Sequence, residues 1–410
     1  MTTFNTTNAD KILKVRYREG VVKAAFAHAK TLALFPRDEK FGGKNYQYTI
    51  RYSTSAGMSP VFATAQRLKK PGNYEQFTAT RKKLYSLGSI ENELIFASEN
   101  DDDSLLRGME ECVDQCLQTF GRRFTRYLFG DGSGVVGRIS ATSNVATNEI
   151  TLTNKWDHIV FQKGDKLQLS ATSGGTLRTG EVTINSVTRV SAGVSKIKVD
   201  EASWAAGIPA AAASDYIYFS DASGNVPIGL LGHIPASDPT AGDSFRGVDR
   251  SVDPIMLAGI RYDGSTRPIE EAMTDAIYTA SSFGGEPDLF LMHSMKMSEL
   301  AKAVGSKEVV DVREDMPKLG FKAMSFNGPL GPVKVVGTPF CDYDAAYGLN
   351  MKTWRIKTAG QCPRFLSRMS GNDQWITESN DDALELRLGM YGDVICDNPQ
   401  KNIRVALSNA

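Results

Sequence analysis

The spacing of hydrophobic and polar positions changes several times along this 410-residue chain, and each change predicts a different element. From Ala9 toward Leu34 apolar residues recur at helical intervals (Ile12, Val15, Val22, Ala25, Phe26 and Ala29). Asn8 is placed to cap that helix and Pro36 to stop it, with Gly20 as a candidate break. After Gly42 the rhythm shortens. Residues 46–52 are aromatic and β-branched and read as a strand, with 74–85 as its partner. Gly57, Pro60, Lys69, Lys70 and Pro71 lie between them. The result is a long two-stranded arm with little core of its own. Two strands alone are marginal in water, so the arm is expected to pack on something else, in an assembling protein a neighbouring subunit.

The strongest helical pattern follows. Glu99, Asp101, Asp102 and Asp103 put negative charge where a helix N-terminus favours it. Leu105, Leu106, Met109, Val113, Cys116, Leu117, Phe120, Phe124 and Leu128 then form one apolar face, ended by Gly130-Asp131-Gly132. Burying each large side chain on that face contributes about 1.5–3 kcal/mol before entropy is subtracted, so this helix is a principal core element. From Gly134 to about Gly224 the chain turns Ser-, Thr-, Gly- and Val-rich. Six short strands, at 135–140, 149–152, 166–170, 181–190, 196–199 and 216–219, predict a small closed barrel or sandwich inserted into the sequence.

Mixed patterning resumes after a polar loop at 238–251. A helix starting at Ser265 carries Met273, Ile277 and Ala280 on one face and stops at Gly284-Gly285. A strand at 288–292 and a helix at 295–304 follow. Strands at 331–338, 353–357, 384–388 and 403–407 complete an α+β chain.

Charge adds a second layer. The first 85 residues hold 16 Lys and Arg against 5 Asp and Glu, while the whole chain balances 47 against 47. A basic first fifth and an acidic remainder make copies of the chain complementary to each other, which favours assembly. No apolar stretch approaches a membrane span, and the start at Met1 lacks the basic-then-apolar pattern of a secretory signal. Cys112, Cys116, Cys341, Cys362 and Cys396 have no disulfide or zinc spacing, in keeping with reduced thiols in a cytoplasm.

Candidate chemistry is sparse. Gly132-Ser133-Gly134-Val135-Val136-Gly137 fits the dinucleotide fingerprint, but it follows a helix and precedes strands, the reverse of the required order, and reads as a linker. His28, His158, His233 and His293 are far apart and lack ligand spacing. Cys112 and Cys116 read as small core residues beside the apolar stripe, and Asp101 to Asp103 as a dipole cap. No catalytic, cofactor-binding or metal-binding constellation results. Lys69, Lys70, Tyr74, Arg81, Lys82 and Lys83 form a basic and aromatic set. Nucleic acid or solvent would suit it, but the acidic excess elsewhere in the same chain favours contact between subunits.

The order of these elements resembles the major capsid proteins of tailed double-stranded-DNA bacteriophages, whose fold the herpesvirus capsid floor shares. The resemblance covers most of the chain, including Glu286-Pro287-Asp288-Leu289-Phe290-Leu291-Met292-His293 and the closing Gly389-Met390-Tyr391-Gly392-Asp393. It implies an N-terminal helical arm at 1–39, an extended two-stranded loop at 40–92 and a spine helix at 93–133. A β-rich domain inserted at 134–224 and a peripheral and axial α/β body at 225–410 would follow. It further implies pentamers and hexamers closing into an icosahedral shell around packaged double-stranded DNA, assembled in the host bacterial cytoplasm. Lys11, Lys14, Arg16 and Arg18 would face the DNA. Scaffolding, portal and decoration proteins are the implied partners, with no enzyme activity, cofactor or membrane. The alternatives are a phage tail tube or other virion assembly protein, favoured by the β-rich centre, and an enzyme carrying an inserted β domain.

Overall fold

The computed structural model describes residues 30–54, 56–93, 102–189, 195–305, 324–329, 331–366, 375–377 and 381–408. Most of the helix expected over 9–34 lies outside them; its last turn is α1 (Lys30–Ala33). The strand β1 (Arg37–Asp38) leads to the arm, β2 (Asn45–Arg51), α2 (Phe62–Arg67) and β3 (Tyr74–Thr80), then to β4 (Lys82–Glu91) and the long helix α3 (Asp102–Phe129). Six strands follow: β5 (Val135–Arg138), β6 (Glu149–Thr151), β7 (Lys166–Ser170), β8 (Val182–Arg189), β9 (Ser195–Val199) and β10 (Tyr216–Phe219). Beyond them run β11 (Ser244–Phe245), β12 (Val248–Asp249), β13 (Ile260–Asp263), α4 (Ile269–Ser282), β14 (Leu289–His293) and α5 (Ser294–Gly305). The strands β15 (Met324–Gly328), β16 (Gly331–Thr338), β17 (Ala345–Leu349) and β18 (Trp354–Thr358) come next. Last are β19 (Arg364–Phe365), β20 (Trp375–Thr377), β21 (Ala383–Cys396) and β22 (Ile403–Ala406). The fold is mixed α+β. Among the described residues no helix is long and apolar enough to cross a membrane.

The chain divides into two compact units. One holds the described parts of Met1–Phe41, Arg81–Thr125 and Ile356–Asp393. Its sheet is centred on β21, in the order β1-β18-β21-β19, with β20 and β4 also paired to β21. β4 runs antiparallel to β21 from Glu91↔Ala383 to Lys82↔Gly392. Along α3 the predicted stripe is buried at Val113, Cys116, Leu117, Phe120 and Phe124. Gly88 of β4 lets this helix approach: a Cβ there would stand 2.7 Å from the sulfurs of both Cys112 and Cys116. Ser86 Oγ also donates to the Cys116 carbonyl at 3.1 Å.

The other unit holds Gly42–Thr80, Arg126–Arg355 and Val394–Ala410. All six strands expected between 134 and 224 form, within two residues of their expected bounds, in one sheet ordered β5-β10-β7-β8-β9-β6. The two ends of that sheet meet. Ile139 bridges Leu152, Ser140 N–H donates to Thr151 C=O at 2.9 Å, and Thr153 N–H donates to Arg138 C=O at 2.9 Å. Val136, Ile150, Leu167, Leu169, Val182, Ile184, Ile197 and Ile217 fill the closed sheet, each at most 1% exposed. The chain leaves α3 and returns at one point, since Gly224 N–H donates to Ser133 C=O at 2.8 Å. A second six-stranded sheet runs β13-β22-β17-β14-β16-β15, mixed parallel and antiparallel. α4 and α5 bury Ala272, Met273, Ala276, Ile277 and Leu300 against Phe290, Val335 and Val405 of that sheet.

Two expectations need correction. The partner strand read as 74–85 breaks at Arg81: β3 pairs with β2, while β4 pairs with β21. The burial phase slips there, with odd positions buried before the break (Phe77, Ala79) and even positions after it (Ser86, Ile90). A one-residue slip reverses the faces of a strand, so one continuous strand could not bury both sets. The base of the arm also has a core within its own chain. Tyr48, Ile50, Phe77 and Ala79 pack with Val248, Leu257 and Ile395.

Candidate assembly surface

The arm is fixed at its base and apolar at its tip. At the base the Tyr48 ring stacks on Phe77 at 5.4 Å, and Phe245 meets Phe77 edge-on. Arg246 donates from Nη1 to the Tyr48 hydroxyl at 3.1 Å and from Nη2 to the Val394 carbonyl at 2.8 Å. Its own carbonyl accepts from Thr78 N–H at 3.0 Å, which ties β3 down.

Beyond Arg51 the described residues lead into α2, which buries no side chain. Asn73 N–H donates to Ser53 Oγ at 2.9 Å, and Tyr52 N–H to the Asn73 carbonyl at 3.1 Å, closing the loop at its neck. A Cβ on Gly57 would lie 2.4 Å from the Ala65 carbonyl oxygen, so only glycine lets the incoming chain cross the end of α2. This held loop presents Met58 (94% exposed) and Phe62 (81% exposed), with Val61, Leu68 and Tyr74 at least half exposed. Met58, Val61, Phe62 and Leu68 fall within eleven consecutive residues, so large apolar side chains are left uncovered along one short stretch of chain. Arg67, Lys69 and Lys70 stand exposed beside them.

The six residues singled out in the sequence therefore separate. Lys69, Lys70 and Tyr74 belong to the tip and its neck. Arg81, Lys82 and Lys83 lie at and beyond the phase slip, in the other unit. Lys11, Lys14, Arg16 and Arg18 lie outside the described residues. Sequence reasoning missed Met58, Val61, Phe62 and Leu68. The available signal was an apolar set flanking Pro60 that follows neither strand nor helix periodicity over a length worth burying.

A buried charged cluster lies elsewhere in this unit. Arg126 Nη1 donates to Asp342 Oδ1 at 2.7 Å and to the Phe340 carbonyl at 3.2 Å, while its Nη2 lies 4.0 Å from Asp157 Oδ1. Burial pushes the Asp157 carboxyl up to about 7, against the pull of Arg126. Trp156 packs on His293 at 5.5 Å and on Tyr343 at 6.3 Å, with Lys155 and Lys296 over the Tyr343 ring. Burial pulls His293 down to about 4. His158 Nδ1 lies 2.8 Å from Ser195 Oγ, but Ser195 is buried and donates to the Lys155 carbonyl. These groups clasp the closed sheet to β14 and to the chain following β16, and several are held from outside as well: Asn154 donates to Asp157 at 3.1 Å, and Lys296 pairs with Glu299 at 2.8 Å.

The Gly-x-Gly-x-x-Gly segment is explained by packing. Gly132 and Gly134 have φ of +91° and +93°, and a Cβ on Gly134 would stand 2.5 Å from the Ala222 carbonyl oxygen. These glycines permit the turn from α3 into β5. A cleft of about 340 Å³ at the C-terminal end of α4 is lined by Ile277, Gly285, Glu286, Asp288, Pro332 and Lys352. Its two carboxylates are engaged, Glu286 with Lys401 at 2.7 Å and Asp288 with Met351 N–H at 3.1 Å. Among the described residues no three His, Cys, Asp or Glu gather as a metal site.

No family model matches the chain, and no curated protein matches it. Solved structures do. A chain of the cyanophage A-1(L) capsid asymmetric unit superposes with a TM-score of 0.54 at 10% identity, over 93% of each chain. The satellite phage P4 procapsid, including its size determination (Sid) protein, gives 0.44 at 11% identity, over 95% of this chain and 91% of that one. The capsid of the native GTA particle gives 0.44 at 10% identity, over 93% and 90%. The first of these defines the fold: the chain has the fold of a phage capsid protein.

Proposed function

We propose that this chain is the major capsid protein of a tailed bacteriophage, a structural subunit with no enzymatic role. The observation that carries the reading is the fold shared with the cyanophage A-1(L) capsid chain along 93% of both sequences. Many copies assemble as pentamers and hexamers into an icosahedral shell around double-stranded DNA. In that shell α3 is the spine helix, the arm of β2 and β3 is the extended loop, and residues 134–224 are an inserted barrel domain on a peripheral and axial body. The loop lies over the adjacent subunit, where Met58, Phe62 and Leu68 are covered and Lys69, Lys70 and Tyr74 contribute to the contact. Arg81, Lys82 and Lys83 are contact residues of a separate surface. Each contact is weak, and simultaneous engagement of several neighbours makes the shell stable. Lys11, Lys14, Arg16 and Arg18 face the packaged DNA, with weak, salt-dependent contacts to phosphate. Scaffolding, portal and decoration proteins are partners, and assembly takes place in the host cytoplasm.

Electron microscopy of the purified chain, fractionated by size across a salt series and after co-expression with a scaffold, tests this. Shells, rings of five or six, or capsomer sheets are the expected result. Tubes would move the chain to the tail, and a persistent monomer under every condition would overturn the reading.

A further inference from the structure

β4 forms a border of its sheet. It pairs with β21 on one side, and among the described residues no strand pairs with the other. The ladder fixes which of its backbone groups face that open side. Asn92 N–H donates to the Asp382 carbonyl, so the even-numbered residues exchange hydrogen bonds with β21. β21 agrees from its far side, where the Arg387 and Tyr391 carbonyls accept from Leu366 and Ala359. The residues opposite them, Leu87 and Lys83, therefore turn N–H and C=O to the open edge, as do Tyr85, Ser89 and Glu91. The side chains of these five are all exposed, on the face opposite buried Ser86 and Ile90.

A ten-residue edge carrying exposed Tyr85 (51%) and Leu87 (55%), with no proline, is a template for another strand. Its exposed face is also arranged symmetrically in kind. Lys83 and Glu91 lie at equal distances either side of Leu87, and Tyr85 and Ser89 do the same nearer in.

We propose that β4 pairs antiparallel with β4 of a second copy of this chain, about a two-fold axis through Leu87. In that register Leu87 faces its own copy, Tyr85 faces Ser89 on both sides of the axis, and Lys83 faces Glu91 twice. In this register opposite charges meet at both ends of the paired strands, and Leu87 meets its own copy at the centre, whereas a two-residue shift sets Leu87 against Tyr85 or Ser89. A one-residue slip turns the apolar pair to the opposite face. The contact is isologous, as a two-fold demands. It is distinct from the contact of the arm tip and does not rest on the shell reading, because two copies suffice.

Cysteine cross-linking of the purified full chain tests the register. Opposed Cα atoms in a hydrogen-bonded antiparallel pair lie about 5.5 Å apart, inside the roughly 4.4–6.8 Å range of disulfides. L87C is expected to give a disulfide-linked dimer under mild oxidation, roughly tenfold above the parent chain with its five native cysteines. Y85C and S89C should stay at the parent level separately and cross-link when mixed. K83E should reduce the L87C dimer, and adding E91K should restore it. An L87C chain that stays monomeric, or a Y85C chain that cross-links with itself as well as L87C does, would overturn the proposal.

Discussion

Tyr48 and Arg246, 198 residues apart in sequence, are joined by a hydrogen bond of 3.1 Å, and the guanidinium carbon sits 5.9 Å from the phenol ring. That bond pins the base of the arm to a core that also holds Phe77, 1% exposed. Truncation at this base is therefore a stability lesion. F77A is expected to cost about 3–5 kcal/mol, the usual result of emptying a buried aromatic site. Urea unfolding followed by fluorescence checks it; an unchanged midpoint would contradict the packing described.

The tip should behave in the opposite way. F62S changes a side chain that is 81% exposed and is expected to leave stability within about 0.5 kcal/mol. Removing residues 56–71 should likewise leave a folded chain. Both variants should lose assembly in sedimentation and microscopy. A deletion extended to residue 90 would remove β4 from its sheet and fail to fold, so the boundary of a clean deletion lies before Arg81. Shells formed normally by F62S would remove the tip from the contact.

Gly88 offers a sharper packing test. A methyl group there would meet two sulfurs at 2.7 Å, so G88A is expected to destabilise by about 1–3 kcal/mol through overpacking. Adding C112A and C116A opens the space, and the triple variant should recover part of the loss relative to the double cysteine variant. Strict additivity of the changes in denaturation midpoints would mean that the three residues do not interact.

The cluster around Trp156 predicts a particular pH dependence. Asp157 has an ordinary value of 3.8 and is pushed up to about 7, so the folded chain holds a proton that the unfolded chain releases. Its contribution is present at low pH and fades as pH rises from about 4 toward 7. His293, lowered from 6.5 to about 4, acts with the opposite sign, because the unfolded chain binds the extra proton between those values. The two slopes oppose each other between about pH 4 and 6.5. D157N removes one of them, so its stability should climb with pH across that window more steeply than the parent's. Urea midpoints at several pH values test this, and parallel curves would contradict it.

Much of the architecture was legible in local patterning. The six strands of the closed sheet announce themselves because each is short and bounded by turn residues, and the long apolar stripe of α3 has one reading only. The break at Arg81 was harder, because each half alternates acceptably and only burial reveals that the phase has slipped. The arm's tip was missed for a related reason: Met58 and Phe62 are apolar yet belong to no buried face, so periodicity gives them no role. Arg126, Asp157 and Asp342 are invisible as a group in sequence. Charges brought together only by the meeting of two sheets leave no spacing to read.

The hydrogen bond between Ser133 and Gly224 has a consequence for how this chain tolerates change. Everything between those residues starts and finishes at a single place, so the remainder of the fold experiences the whole closed sheet as one tight turn. Lengthening or replacing such a segment adds almost nothing to the entropy of closing the loop. The position is a natural graft point, where a foreign module with adjacent ends could stand in, provided it renews the clasp that Asp157 and Trp156 make with their neighbours.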